Sequence, residues 1–154
     1  MIEFVPVEDW HVSWVGNFLR PHDYDEVIAA GSPNGVHSVR EAVKVSHMSS
    51  TALVDGVPAA IFGLRKVSLI GNKAIPWMLG TRLATKDRRR FLEESKHVVA
   101  EMADASAILF NYVYSKNFPS IAYLTKLGFT VDTSTPVKFP GGTFYKFTME
   151  RPDV

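Results

Sequence analysis

Residues 108–131 read ILFNYVYSKNFPSIAYLTKLGFTV. Residues 108–114 are β-branched, aromatic or leucine apart from one asparagine, a composition typical of a buried strand. Residues 120–127 have apolar side chains at helical spacing, and Gly128 permits the left-handed backbone on which many helices end. Phe129 begins another strand. The stretch therefore predicts a strand, a helix and a second strand in immediate succession.

The rest of the sequence predicts elements that would pack around this unit. In chain order they are a strand at residues 2–5, helices at 7–19, 23–30 and 36–47, strands at 51–54, 58–64 and 74–79, a helix at 86–105 capped by Thr85, and closing strands at 129–132 and 144–149. Asp55-Gly56, Gly71-Asn72 and Pro140-Gly141-Gly142 supply turns. We expect an α+β fold with one mixed, mostly antiparallel central sheet flanked by helices, in a single domain over residues 1–154.

Three of these segments have a more specific prediction. Residues 2–5 end at Pro6, which cannot donate to a strand pair, so this strand should lie at the edge of the sheet. Residues 7–19 have apolar spacings near three and four, which predicts one buried helix face that includes Trp10 and Trp14. Pro76 interrupts its strand and predicts a bulge or an unpaired position.

Composition excludes several classes of function. The 154 residues contain 17 basic and 16 acidic side chains, so no strong overall field attracts nucleic acid. Cysteine is absent, which excludes disulfides, a thiol nucleophile and an acyl-cysteine intermediate. No metal site is expected. Any acyl transfer would be direct or would use oxygen or nitrogen.

The N-terminal sequence predicts the location of the protein. Glu3, Glu8 and Asp9 stand where a signal peptide has basic residues and then an apolar run. No window approaches 18 consecutive apolar residues, the length of a membrane-spanning helix. We therefore expect a cytoplasmic protein without a membrane partner.

The opening stretch also carries a family resemblance. Val113 ends a strand, Asn117 follows four residues later, and a short helix leads to Leu127, Gly128 and Phe129. This spacing resembles the second half of N-acetyltransferases of the GNAT family, whose fold has the element order expected here. PAAIFG at 58–63, IPWMLGT at 75–81, RRRFLEES at 88–95 and NYVY at 111–114 are similar to a phage-encoded GNAT-like family that includes small internal virion proteins of short-tailed phages.

The resemblance implies acetyl-CoA as cofactor. Its pantetheine arm would enter between the strands that end at Leu79 and Val113, bind backbone groups of Met78 and Leu79, and reach Asn117 at one end of the groove. The family binds the pyrophosphate on a glycine-rich loop, but residues 80–90 read GTRLATKDRRR. Here the hydroxyl and cationic side chains would replace the glycine amides, namely Thr81, Thr85, Arg82, Lys86, Arg88, Arg89 and Arg90. Alternatively, the three arginines form a solvated helix face.

The resemblance also implies an acid and a base. In the family the general acid is often a tyrosine five residues before the phenylalanine of the Gly-Phe pair, and this chain has Leu124 at that position. The adjacent Tyr123 is the candidate acid. Alternatively, Tyr123 is a packed aromatic side chain. A base near the central strands would be Glu or Asp in the family, but the strands predicted here contain neither. Asn111 is their strongly polar side chain and is, with Tyr123, a candidate catalytic residue; His37 and His47 are possible bases.

Two functions follow from these residues. The first is a phage-type acetyltransferase that acetylates an amine of an unidentified small molecule or protein, the latter including host proteins. The alternative is a catalytically degenerate protein of the same fold that binds a virion or host protein through Trp10, Trp14 or Trp77, in the host cytoplasm or the virion. Nucleic-acid binding would rest on Arg88, Arg89 and Arg90 alone and is disfavoured. The oligomeric state is left open.

Overall fold

The computed structural model describes residues 1–67 and 72–151. Its strands are β1 (Ile2–Val5), β2 (Met48–Val54), β3 (Val57–Lys66), β4 (Lys73–Gly80), β5 (Ile108–Tyr114), β6 (Thr130–Phe139) and β7 (Gly142–Glu150). Its α-helices are α1 (Asp9–Asn17), α2 (Pro21–Ala29), α3 (Gly35–Val45), α4 (Arg88–Ala105) and α5 (Phe118–Leu127), and a short 3-10 helix spans Arg82–Thr85. The turn predicted at Gly71-Asn72 includes Gly71, which lies outside the described residues.

The strands form one sheet in the order β1-β2-β3-β4-β5-β7-β6. Neighbouring strands are antiparallel except β4 and β5, which are parallel and are joined by the crossover through α4. The predicted mixed, mostly antiparallel sheet is therefore confirmed, as is the edge position of β1, which pairs with β2 alone.

The parallel pair is short. β4 and β5 are in register only at Lys73 with Ile108 and at Ala74 with Leu109, so the sheet opens between them toward Gly80 and Tyr114. Pro76 lies beyond the last pair. Pro76 pairs with Leu64 of β3 in continuous register, so there is no bulge at this position. On its other side Pro76 faces β5 without a strand pair, which is the unpaired position that the sequence predicted as the alternative.

Two apolar clusters pack on the sheet. Under α1, α2 and α3, Val12, Val15, Val27 and Val39 pack on Ile61 and Leu79. The larger cluster lies under α4 and α5 and includes Phe62, Phe91, Met102, Leu109, Phe129 and Phe147. Successive strand residues such as Ile61 and Phe62 point to opposite faces, so the sheet separates the two clusters.

Gly128 ends α5 as expected, with a φ of 103°. The start of α4 was predicted incorrectly. Asp87 caps that helix, its Oδ1 accepting from the Arg90 amide at 3.3 Å, whereas Thr85 lies in the preceding 3-10 helix and donates to the Arg82 carbonyl. Asp87 immediately precedes the helix, and aspartate is a stronger N-cap than threonine.

Two further predictions differ from the structure. The strand expected at 129–132 continues to Phe139, because it forms a long hairpin with β7 whose register shifts between Asp132 and Val137. Helix α1 does not bury its tryptophans: Trp10 is 48% exposed and Trp14 is 40% exposed. The side chains that α1 buries are those of His11, Val12 and Val15.

Candidate active site

A cavity of about 570 Å³ lies at the opening between β4 and β5. It is lined by residues of α2 and α3 on one face of the sheet and of α4 and α5 on the other. Of the residues predicted for the site, Met78, Leu79, Asn111 and Tyr123 line this cavity. The unpaired stretch of β4 thus connects two chambers through the plane of the sheet.

The backbone of Met78 faces the opening. The Gly80 amide donates to the Asp23 carboxylate at 2.9 Å and the Gly80 carbonyl accepts from the Arg20 amide at 2.9 Å, so the polar groups of Gly80 point away from β3. Alternate residues of a strand direct their polar groups to the same side, which places the Met78 amide and carbonyl toward β5. By the same alternation, those of Leu79 face β3.

Asn111 of β5 spans the opening at its narrow end. Its Nδ2 donates to the Pro76 carbonyl at 2.8 Å, and its Oδ1 accepts from the Tyr112 amide at 2.8 Å. The side chain therefore supplies a contact between β4 and β5 just beyond their last pair. Its amide hydrogen bonds stabilise the opened geometry.

A carboxylate on α2 lies at this opening and was missed in the sequence. Glu26 lines the cavity, and its Oε1 accepts from the Tyr114 amide at 2.8 Å and from Asn117 Nδ2 at 3.2 Å. Burial raises the pKa of Glu26 to about 7; the nearby Asp23 adds to the rise and the two hydrogen bonds oppose it. Glu26 is thus poised to exchange a proton near neutral pH.

The sequence feature that could have indicated Glu26 as a site residue is its position on the predicted helix. It is three residues after Asp23 and four before Ala30, which puts these side chains on adjacent rows of one helix face. Nothing local shows which strand that face meets. Tyr114, to which Glu26 binds, is 88 residues away in the sequence.

Asp23 and Arg20 hold α2 against the end of β4. Arg20 Nε and an Arg20 terminal nitrogen donate to Asp23 Oδ2 at 3.1 and 2.7 Å, and both side chains are buried. The same carboxylate accepts from the Gly80 amide. This ion pair therefore positions the helix that presents Glu26, and its charges are already partnered.

On the opposite face, Tyr123 and Ser95 bring two hydroxyls to the cavity. Tyr123 donates to Ser95 Oγ, and Ser95 donates to the Phe91 carbonyl at 2.8 Å. Burial raises the pKa of the Tyr123 phenol by more than the hydrogen bond to Ser95 lowers it. The phenol therefore keeps its proton at neutral pH. Leu124 lines the same cavity. Ser95 was not singled out in the sequence.

Asn117 lies away from this cavity. It is buried, caps α5 by accepting from the Ser120 amide at 3.3 Å, and donates to Glu26. It also lines a smaller cavity of about 320 Å³ beside His22 and Tyr24. Its predicted contact with a cofactor stays a prediction, whereas its contact with Glu26 is direct.

The hydroxyls and cations predicted for phosphate binding precede or begin α4. Thr81 is buried, donates to the Ala59 carbonyl at 3.2 Å and accepts from the Leu83 amide at 3.3 Å. Arg88 and Arg89 are exposed, and Arg89 pairs with Glu93 at 3.7 Å. Neither arginine, nor Thr81 or Thr85, lines the 570 Å³ cavity.

The two candidate histidines are separated. His37 lies at the edge of the cavity, on α3, and is exposed. His47 lies outside it, where its Nδ1 accepts from the Lys66 amide at 3.0 Å. In the described ranges 1–67 and 72–151, no three His, Asp or Glu side chains are grouped to hold a metal ion. Within those same ranges, no helix is long and apolar enough to cross a membrane.

No protein-family model and no curated protein matches this sequence. Solved structures, however, share the fold over nearly the whole chain. The aminoglycoside acetyltransferase AAC(6')-Ib, in complex with ribostamycin and coenzyme A, has a TM-score of 0.71 at 12% identity, covering 97% of this chain and 93% of its own. Two further acetyltransferase structures have similar TM-scores and sequence identities.

PaiA N-acetyltransferase from Thermoplasma acidophilum, in complex with coenzyme A, has a TM-score of 0.64 at 14% identity, covering 98% of this chain and 99% of its own. An acetyltransferase of the GNAT family from Streptococcus pneumoniae has a TM-score of 0.63 at 12% identity, covering 97% and 99%. At these identities the likeness establishes the fold: the expected GNAT-type acyl-CoA N-acyltransferase architecture is confirmed.

Proposed function

We propose that this chain, which has the GNAT acetyltransferase fold, is an acetyl-CoA-dependent N-acetyltransferase. The observation that supports this most directly is the placement of Glu26 and Tyr123 on opposite faces of one cavity that crosses the sheet beside β4. Glu26 is suited to accept a proton near pH 7, and Tyr123 keeps a phenolic proton that it could give to a thiolate. An amine and a thioester entering from opposite faces would meet between them.

The residues at the opening fit a pantetheine arm. The Met78 amide and carbonyl point across the opening, and hydrogen bonds of the strand type would hold an extended amide-containing chain there. The cations Arg82 and Lys86, which precede α4, and Arg88, which begins it, would attract the anionic end of the cofactor, although Asp87 already caps that helix. Bound acetyl-CoA supplies the acetyl group as a thioester and leaves as coenzyme A.

The chain's own residues would then move two protons. Glu26 accepts one from the ammonium of the acceptor, which frees the nitrogen lone pair to form the new amide bond as the carbon–sulfur bond breaks. Tyr123 would give its phenolic proton, which it donates to Ser95 Oγ in the structure, to the departing sulfur. It would regain a proton from the nitrogen, which loses its second proton as the amide forms. Asn117 and the Tyr114 amide hold the Glu26 carboxylate in place.

The direct test is titration of the purified chain with acetyl-CoA by calorimetry, together with thiol release in the presence of a mixture of primary amines. We expect binding at micromolar cofactor, and turnover that Glu26→Gln lowers by roughly 10²- to 10⁴-fold while acetyl-CoA binding is kept. Tyr123→Phe should lower kcat by a smaller factor. No heat at high micromolar acetyl-CoA would refute the proposal.

A second function is favoured by the surface of α1. Trp10, Trp14 and Phe18 are four residues apart and 48, 40 and 57% exposed, and the rings of Trp14 and Phe18 are 5.0 Å apart. Exposed aromatic clusters are typical of protein-binding surfaces. Since some sequence segments are similar to phage-encoded proteins, we propose that this aromatic stripe binds a virion or host protein, with or without catalysis.

This second proposal implies that a phage encodes the chain, and it is tested in purified particles of that phage. We expect the chain to be present, and its incorporation to fall at least severalfold when Trp14 and Phe18 are both changed to Ala. The exposed Val45 of α3 is a matched control, and Val45→Ala should leave incorporation unchanged. Particles without the chain would contradict a virion role.

A further inference from the structure

The chamber under α2 and α3 has aromatic walls. Trp77 of β4, Tyr112 of β5 and Phe139 of β6 line it, and the rings of Tyr112 and Phe139 lie 5.5 Å apart. Phe139 is itself stacked on Phe144 at 4.2 Å. We call this half of the cavity, which also contains Glu26, the acceptor pocket. Its rings offer broad apolar faces to whatever approaches the carboxylate.

The charge of the acceptor pocket is negative. Glu26 lies inside it and Glu41 of α3 lies exposed at its margin, with no ion pair to Glu41 among the described residues. Arg20 is the one Lys or Arg side chain among the described residues of the lining, and it is engaged by Asp23. Carboxylates beside aromatic faces are the combination that attracts an organic cation.

Several polar groups of the acceptor pocket are already engaged within the protein. Trp77 Nε1 donates to Ser46 Oγ at 2.7 Å, and both ends of the Asn111 amide are engaged by backbone groups. Glu26 Oε1 already accepts two hydrogen bonds. In the part of the chain that the structure describes, no hydrogen bond engages Glu26 Oε2, the Tyr112 hydroxyl or the side chains of Ser38, His37 and Glu41. A ligand with many hydroxyls would outnumber these groups, and each hydroxyl that lost its water without a partner would cost about 1–3 kcal/mol.

We infer that the acceptor is a protonated primary amine on a single aromatic or similarly apolar body, an arylalkylamine in chemical class, and not a polyhydroxylated aminosugar. The inference rests on the proposed function, since it names the substrate of that same site. Glu41 attracts the ammonium at the mouth, the rings of Trp77, Tyr112 and Phe139 hold the apolar body, and Glu26 receives the ammonium proton. The fold neighbour AAC(6')-Ib, crystallised with ribostamycin, therefore shares the fold but not this acceptor class.

The test compares acceptors by thiol release with the full chain and acetyl-CoA. Phenethylamine and tryptamine should exceed ribostamycin and spermidine in kcat/KM by at least about 10-fold, since neither a polyol nor an aliphatic polyamine offers a flat apolar body to the rings of Trp77, Tyr112 and Phe139. Glu41→Gln should raise KM for phenethylamine roughly 3- to 10-fold with kcat nearly unchanged. Glu101→Gln, an exposed carboxylate on α4, is the matched control and should change neither.

Calorimetric titration of the chain with phenethylamine gives a readout that does not depend on the cofactor. Binding that Glu41→Gln weakens supports the inference. Equal or better turnover of ribostamycin or spermidine overturns it and leaves the proposed function standing. Failure to bind acetyl-CoA overturns the proposed function itself, and failure to bind phenethylamine at millimolar concentration overturns the assignment of the pocket.

Discussion

Glu26 is the residue on which the proposed chemistry most depends, and its titration can be measured in two ways. The base must be ionised to accept a proton, so kcat/KM should rise with pH and level off above a midpoint near the Glu26 pKa of about 7. Asp132→Asn is a control, because Asp132 lies on the exposed hairpin and its hydrogen bonds to Ser134 and Thr135 lower its pKa to about 2. A flat profile between pH 5.5 and 8.5 would argue against Glu26 as base.

The same pKa has a consequence for stability. Because the folded pKa of about 7 exceeds the ordinary glutamate value of 4.5, the folded state binds more protons between these values, and the free energy of unfolding falls as pH rises through that window. Glu26→Gln keeps an acceptor for the Tyr114 amide and removes the buried charge. We expect it to be more stable than the parent by about 1–3 kcal/mol at pH 8, with the gain lost near pH 4. Urea unfolding at the two pH values measures this, and a loss at pH 8 would contradict it.

At the scale of elements, the junction of α5 and β6 depends on the backbone of Gly128. Its φ of 103° lies in the left-handed region, and a Cβ there would meet only Met149 Cε, at 3.4 Å. The cost of a side chain is therefore conformational. Gly128→Ala should lower the free energy of unfolding by about 1–2 kcal/mol, and Gly128→Asn by less, because asparagine tolerates this conformation better.

Urea unfolding checks the effect at Gly128. Lys126→Ala, an exposed change in the last turn of the same helix, serves as control and should stay within about 0.5 kcal/mol of the parent. Equal losses for alanine and asparagine would point to a packing cause in place of a backbone one.

Some helices and strands could be predicted from local sequence alone. The strand at 108–114 and the helix ended by Gly128 were predicted because apolar spacing and a glycine end are local properties. The buried face of α1 was predicted correctly for Val12 and Val15 but incorrectly for Trp10 and Trp14, because aromatic and aliphatic residues alternate around the helix. Val12 and Val15 meet the sheet while Trp10 and Trp14 face outward, and hydrophobicity alone does not distinguish them.

For the whole molecule, the sequence by itself determined the order of elements, the sheet type and the resemblance to acetyltransferases, because these follow from periodicity, turn residues and a few fixed spacings. Met78, Asn111 and Tyr123 were site candidates implied by that resemblance, and the structure brings all three to one cavity. What only the tertiary structure decided is the meeting of α2 with β5, which buries Glu26 against Tyr114 and Asn117. A pKa shift of this kind arises from burial and from partners distant in sequence, so no local pattern contains it.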